Sequence, residues 1–423
     1  MERLIFHVDV NSAYLSWEAA KRVAAGEEDI RLIPSAIGGD REKRTGIILA
    51  KSIAAKKYGV KTGEPVGMAL RKCPELVLYR PDFLLYQRNS AAFMAVCAKY
   101  APVVEKYSID ECFLDMTGTG RIYPDPIAIA HKIKDEIRDT LGFTVNVGIG
   151  SNKLLAKMAS DFEKPDKVHT LFSEEIEQKL WPLPIGELFT VGHATEERLK
   201  RVCIRTIGDL AKLTQEDAMS ILGVKWGLQL HRFANGMDES PVLEEREEAK
   251  GYSVSTTLEE DVVEKEQAKQ ILLALADSVS ARMRTDHVNA FCVAVAIRAN
   301  DFKNRSHQRK LEEATDITAE IYRVAVELFE ELWDGKTPLR LLGIALNDID
   351  RDGCVQQGLF SNEKKEKARK LDRTVDSLRE RFGSKSIVLG ANYRSDINVG
   401  KKYQAQAEER ARQKAKSDNV NEE

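Results

Sequence analysis

Tyr107-Ser108-Ile109-Asp110-Glu111-Cys112-Phe113-Leu114-Asp115 decides how the rest of the chain is read. Val103-Val104 before it and Cys112-Phe113-Leu114 within it have strand character, and between them lies a polar point with two adjacent carboxylates, Asp110 and Glu111. Such neighbours repel, and each raises the pKa of the other. A cation held between them becomes the largest local charge and reverses that cost. A solvated hairpin turn with two acids is the plain alternative. A second stretch, Leu4-Ile5-Phe6-His7-Val8-Asp9-Val10, is a short apolar run with one acid near its end, the pattern of a buried strand. An aspartate there is costly unless it is paired or metal-bound, or unless it caps a helix starting near Asn11 or Ser12. Asp9, Asp110 and Glu111 together form an oxygen-only donor set, which suits Mg²⁺, an ion that keeps much of its shell for water and substrate phosphates.

Three stretches carry a resemblance: Phe6-His7-Val8-Asp9-Val10-Asn11, Ser108 to Asp115, and Val147-Gly148-Ile149-Gly150-Ser151-Asn152-Lys153-Leu154-Leu155-Ala156-Lys157. They resemble the palm motifs of the Y-family translesion DNA polymerases, in particular the bacterial DinB/UmuC-like (DNA polymerase IV and ImpB/MucB/SamB) group. They occur in the family's order and spacing, and the resemblance spans roughly residues 1 to 360. It implies an α+β multidomain, right-hand-like polymerase with a ferredoxin-like palm, small fingers, a helical thumb and a βαββαβ little finger. The palm is expected at 1–12 and 76–166, the fingers at 13–75, the thumb at 167–237, a linker at 238–250 and the little finger at 251–350. A clamp-binding peptide at 354–360 and a charged C-terminal helix and tail at 361–423 complete the expected order.

Composition sets the bounds. The chain has 423 residues, of which 31% are charged and 43% hydrophobic, an ordinary soluble balance with room for several domains. Its formal net charge of −3 does not announce nucleic-acid binding, so any DNA surface must come from local separation of charge. The 6 cysteines are scattered without CxxC spacing and read as buried or free thiols of a reducing cytosol. Met1-Glu2-Arg3 leads straight into a strand, with no signal peptide expected, and no apolar run approaches the ~20 residues of a membrane span.

Along the chain, residues 12 to 25 read as a helix whose Tyr14 is, by resemblance, the steric gate beneath the incoming sugar; a core aromatic is the plain alternative. The finger region, 31 to 63, carries the bases Arg41, Lys43 and Arg44 and a helix through Tyr58. Where the family usually has a Tyr and an Arg for the triphosphate, this chain has Ile53 and Lys56. Lys56 can meet phosphate as a point charge without the Arg fork, with Lys51 or Lys57 as possible helpers. Helices at 82–100 and 124–141 alternate with strands at 103–107, 112–116 and 144–149. Lys157 lies one turn into a helix past a Gly-rich strand end and, by resemblance, contacts the triphosphate. Pro165 to Pro184 reads as a connector. Leu188 to Leu210, around Gly192, resembles a helix-hairpin-helix, which offers backbone N–H groups to DNA phosphate. An acidic linker leads to a clean β-α-β-β-α-β order, a ferredoxin-like module. Between 281 and 310 it holds Arg282, Arg284, Arg298, Lys303, Arg305, Arg309 and Lys310 against Asp286 and Asp301, a local charge of +5. Of these, Arg282, Arg284, Arg298, Lys303 and Arg305 are the expected DNA contacts; a charged sheet edge is the alternative. Gln356-Gln357-Gly358-Leu359-Phe360 resembles the peptide that docks polymerases on the bacterial sliding clamp, with Gln356 at a pocket rim and Leu359 and Phe360 filling it.

The resemblance implies template-directed addition of deoxynucleotides by a cytoplasmic, monomeric enzyme. Two Mg²⁺ ions would be held by Asp9, Asp110, Glu111 and the Val10 carbonyl. No further acidic constellation for proofreading follows residue 120. The different-class alternative is a clamp-docked DNA-binding accessory protein with weak or no synthesis, motivated by Ile53 and Lys56.

Overall fold

The computed structural model describes residues 3–39, 46–244, 248–351, 363–383 and 386–390. The described residues fall into two compact units, one within 1–38 and 48–247, the other within 248–423 together with the described residues of 39–47.

The first unit is built on a five-stranded sheet. Its strands are β1 (Ile5–Val10), β5 (Val103–Lys106), β6 (Glu111–Asp115), β7 (Val145–Gly150) and β8 (Val168–Leu171), in the order β5-β6-β1-β7-β8. The remaining strands of this unit, β2 (Ser35–Gly38), β3 (Ile48–Lys51) and β4 (Val77–Tyr79), form a separate sheet in the order β3-β2-β4. Period-2 alternation sorts the large sheet's residues onto two faces. Phe6, Val8, Val10, Cys112, Leu114, Val145, Val147 and Ile149 share one buried core with residues of helices Phe83–Cys97 and Pro126–Leu141. The opposite set, Ile5, His7, Asp9, Glu111 and Phe113, lies on the face with helix Lys153–Asp161: Ile5 and Phe113 pack with Ala156, and His7 contacts Ser160. Helix Ala13–Ala24 contributes Leu15 and Trp17 to the two-helix core. The same core takes in Ile37 and Ala50 of the small sheet. β4 pairs in parallel with β2 in the small sheet.

Three expectations for the middle of the chain are corrected. The connector after Pro165 contains β8, which extends the sheet in parallel with β7. Its residues Val168-His169-Thr170-Leu171 lack the long apolar run that would have marked a strand. The 238–250 linker is not loose at its start: Leu243 N–H donates to Glu105 (2.8 Å), Arg3 donates to the Ser240 carbonyl (2.8 Å), and Val242 packs on Ile5, Phe113 and Ala156. The glycine-containing turn expected around Gly192 is not found between two α-helices: Gly192 caps the start of helix His193–Arg201, the turn from there to helix Ile207–Ala211 holds no glycine, and Gly223 instead joins helices Gln215–Leu222 and Val224–Ala234 directly. There a Cβ on Gly227 would lie 2.4 Å from the Ala218 carbonyl oxygen.

The second unit has the β-α-β-β-α-β order read from sequence: β9 (Gly251–Val262), helix Lys265–Thr285, β10 (Asn289–Ala299), β11 (Asn304–Thr315), helix Thr318–Leu332 and β12 (Leu339–Asp350). All pairings are antiparallel, in the order β11-β10-β12-β9. Each βαβ crossover is split by a strand of the other. Helix Glu363–Phe382 has no buried residue and is held to this unit by ion pairs. Arg379 reaches Asp277 with both terminal nitrogens (3.0 and 2.9 Å), and Lys365 reaches Glu313 (2.8 Å).

Arg284 is corrected from a DNA contact to part of this docking. It is buried, pairs with Asp372 and Asp376 of that helix, and donates to the Asp316 carbonyl and Thr318 hydroxyl. Arg284→Met leaves two carboxylates without their partner. It is expected to cost about 3 kcal/mol in denaturant unfolding and to expose Glu363–Phe382 to protease before the rest of the chain.

Candidate active site

Antiparallel register sets Asp9 and Glu111 directly opposite each other at the end of β1 and β6. Asp110 sits in the adjoining turn, where its backbone carbonyl accepts from Val10 N–H (3.0 Å) and its carboxylate accepts from the Ser108 hydroxyl (2.6 Å). The polar point of Tyr107 to Asp115 thus lies across from the acidic end of the buried strand, as the two stretches imply when read together.

Among the described residues no three His, Cys, Asp or Glu side chains are grouped so as to hold a metal ion. The carboxylates turn onto lysines instead. Lys157 Nζ donates to Glu111 (2.9 Å), and Lys164 Nζ donates to Asp9 (2.6 Å). Asp161 reaches both ammonium groups, at 3.8 Å for Lys157 and 2.8 Å for Lys164. Burial pushes the Asp9 carboxyl up against the opposing charge of Lys164. Burial acts the same way on Glu111, but the adjacent His7 ring and the Lys157 charge outweigh it and bring the group down to about 2. Lys164 is held up at about 12 because Asp9 and Asp161 outweigh its own burial. An all-oxygen set this buried requires neighbouring positive charge, and its chemistry fits a hard divalent cation. The two ammonium groups supply that charge here.

The positions of the lysines have local causes. Gly148 lies under helix Lys153–Asp161, where a Cβ would come within 2.0 Å of the Ala156 carbonyl oxygen. The missing side chain lets the helix lie hard on β7 and hang Lys157 over Glu111. Gly148→Ala is expected to lower stability by about 1–3 kcal/mol and to raise the nucleotide KM, read from melting curves and single-nucleotide incorporation. Lys164 is set by two buried asparagines. Asn146 donates to the carbonyls of Ser160 (3.0 Å) and Glu163 (2.6 Å), and Asn11 accepts from Asp166 N–H (3.0 Å). Sequence reading missed Lys164, Asn146 and His7. His7 had a usable signal, two residues before Asp9 and so on the same face. It is fully buried, with Nδ1 2.8 Å from the Ser160 hydroxyl and Nε2 3.8 Å from Glu111, and burial holds its pKa down.

Tyr14 is half-buried and stacks on Tyr86 (centroids 4.6 Å apart), with Phe83 edge-on (6.4 Å). Burial, and then the negative charge of Asp110, push its phenol up. Lys56 is exposed on the short helix Ile53–Lys57. Burial and the Lys56 charge push the neighbouring Lys51 ammonium down, so the two lysines make one positive spot. Ile53 is 58% exposed.

In the second unit, Arg298, Lys303 and Arg305 lie along the β10–β11 hairpin. Arg282 lies on helix Lys265–Thr285 instead, over the Tyr252 ring and donating to the Ser253 carbonyl (2.9 Å). The local charge of +5 is reduced from outside the 281–310 window. Arg309 pairs with Glu327 and Glu331 of helix Thr318–Leu332, and Lys310 pairs with Asp348 (3.3 Å). Gln356, Leu359 and Phe360, like Arg41, Lys43 and Arg44, lie outside the described residues. No helix among the described residues is long and apolar enough to cross a membrane.

Profiles described as the impB/mucB/samB family and its C-terminal domain match residues 8–161 and 249–359, and one described as the DNA polymerase-iota thumb domain matches residues 186–238. Fold and sequence together define a DNA-directed DNA polymerase of the translesion class, which depends on divalent metal and acts on primer–template DNA and dNTPs. The chain belongs to the impB/mucB/samB family, the DinB-type Y-family polymerases. It is 43% identical over 392 residues to DNA polymerase IV of Clostridium acetobutylicum, covering 92% of this chain and 98% of that one. It is 37% identical over 394 residues to DNA polymerase IV of Acetivibrio thermocellus, covering 92% and 97%. Its fold is similar to that of a Y-family polymerase chimera of Dbh and Dpo4, with a TM-score of 0.71 at 24% identity, covering 82% of this chain and 99% of the other.

Proposed function

We propose that this chain adds dNMPs to a primer 3′-OH by two-metal catalysis, as an error-prone, lesion-bypassing polymerase of a damage response in the cytoplasm. The observation that carries this reading is the cross-strand register of Asp9 and Glu111 with Asp110 in the adjoining turn. These three carboxylates and the Val10 carbonyl would hold two Mg²⁺ ions. When bound, the ions lower the pKa of the 3′-OH and neutralise charge on the triphosphate and leaving pyrophosphate. Lys157 and Lys164, whose ammonium groups lie at the carboxylates, would offer positive charge to phosphate oxygens, with Lys56 and Lys51 as a second positive spot. The Tyr14 ring blocks a ribose 2′-OH. Arg298, Lys303 and Arg305 meet the DNA backbone, with Arg282, on helix Lys265–Thr285, as a separate contact. Gln356, Leu359 and Phe360 dock a monomer on the sliding clamp. The domain roles follow the sequence expectation: a palm on the five-stranded sheet, fingers on the small sheet, a thumb up to residue 237 and a little finger at 251–350.

The exposed Ile53, with Lys56 in place of an Arg fork, favours a second reading, a clamp-docked accessory protein. Primer extension with Mg²⁺ and all four dNTPs, on undamaged and abasic templates, separates the two. Distributive extension past the abasic site supports the polymerase. DNA binding with no extension, clamp present or absent, supports the accessory protein.

A further inference from the structure

The tip of the β10–β11 hairpin holds a local contradiction. Phe302 has φ +65°, the left-handed region that favours glycine or asparagine and disfavours a bulky side chain. Its backbone is nevertheless fixed, with Phe302 N–H donating to the Ala299 carbonyl (3.0 Å) and Ala299 N–H to the Lys303 carbonyl (3.0 Å). Asn300 N–H ties the tip to the Pro338 carbonyl at the entry to β12 (3.0 Å). The ring is 61% exposed and adds nothing to the core beneath the sheet. A residue that costs the turn stability and gives none to the core is explained by what it presents to solvent. Arg340 stacks on the ring, its guanidinium carbon 4.7 Å from the centroid. This leaves the other face of a braced aromatic open beside Arg298, Lys303 and Arg305.

We propose that Phe302 is a stacking platform for an unpaired nucleobase of the single-stranded template next to the primer–template duplex. Bases within a duplex are already stacked on both sides, whereas an unpaired base has a free π-face that an aromatic ring can take in any sequence. The basic side chains around the hairpin supply the attraction that brings the strand there, and Arg340 holds the ring flat from behind. The inference rests on the proposed meeting of this hairpin with DNA.

The test compares the full chain with Phe302→Ala, Phe302→Trp and Phe302→Gly. Binding is measured to a blunt duplex and to the same duplex with a 5′ template overhang carrying 2-aminopurine at successive positions. Phe302→Ala is expected to weaken overhang binding at least about fivefold, to leave blunt-duplex binding unchanged and to abolish the 2-aminopurine quench at one position. Phe302→Trp keeps affinity and quench. Phe302→Gly loses both yet melts no lower than wild type, because the turn no longer carries a side chain in the left-handed region. An equal loss on both DNAs, or none on either, overturns the stacking role. Failure of the wild type to bind either DNA overturns the hairpin–DNA reading itself, and the platform with it.

Discussion

Asp110→Ala with Glu111→Ala is expected to abolish nucleotide addition, by at least about 10³-fold, with primer–template binding changed by less than about twofold. Asp9 and Glu111 are cross-strand partners, so the double substitution removes most of the oxygen donors while leaving the β10–β11 hairpin untouched. Single-turnover extension reads the first effect and fluorescence anisotropy the second; retained synthesis would sink the metal assignment. The variant also has an acid signature. Glu111 is lowered from 4.5 to about 2, so its contribution to stability is full above pH 4.5 and is lost as the pH falls toward 2. Asp9, shifted the other way by burial, works against that loss. Without Glu111, the melting temperature is expected to fall less steeply across that window than in the wild type.

Tyr14→Ala is expected to admit ribonucleotides roughly 10- to 200-fold more readily, the range that one extra group in a pocket commands. Its ring is fixed by Tyr86 on one face and Phe83 at its edge, so it cannot swing away from a 2′-OH. A fixed clash rejects an added hydroxyl better than any attractive contact to the deoxyribose would. The ratio of kcat/KM for a dNTP over its rNTP is the measurement. A ratio unchanged from wild type makes Tyr14 a core aromatic only. Phe83 and Tyr86 would keep the rest of the cluster packed in the variant, so the protein should remain folded.

The helices and strands of both units were legible because their apolar periods are clean. Helix Pro126–Leu141 falls within two residues of the span 124–141 where the pattern put it, and strands Glu111–Asp115 and Val145–Gly150 within one residue of theirs. β8 was not legible, since a four-residue strand on the edge of a sheet buries too little to need an apolar run. Arg284 shows the other limit. In sequence it is one more base near a basic hairpin, and only the docking of a helix that starts 79 positions later shows which acids have claimed it. Counting charge within a window fails for the same reason at Arg309, whose partners Glu327 and Glu331 come from the next helix.

By itself, the sequence determined the class of chemistry, because Asp9, Asp110 and Glu111 are an uneconomical set to keep together without a cation and because three motifs occur in family order. It also determined the order of elements, which follows from local period and turn residues. Only the tertiary structure decided how those acids are balanced. Lys157 reaches Glu111 because Gly148 has no side chain, and Lys164 reaches Asp9 because Asn11 and Asn146 hold its loop. The reason is physical: ion pairing depends on distances across the sheet, and spacing along the chain does not fix those distances.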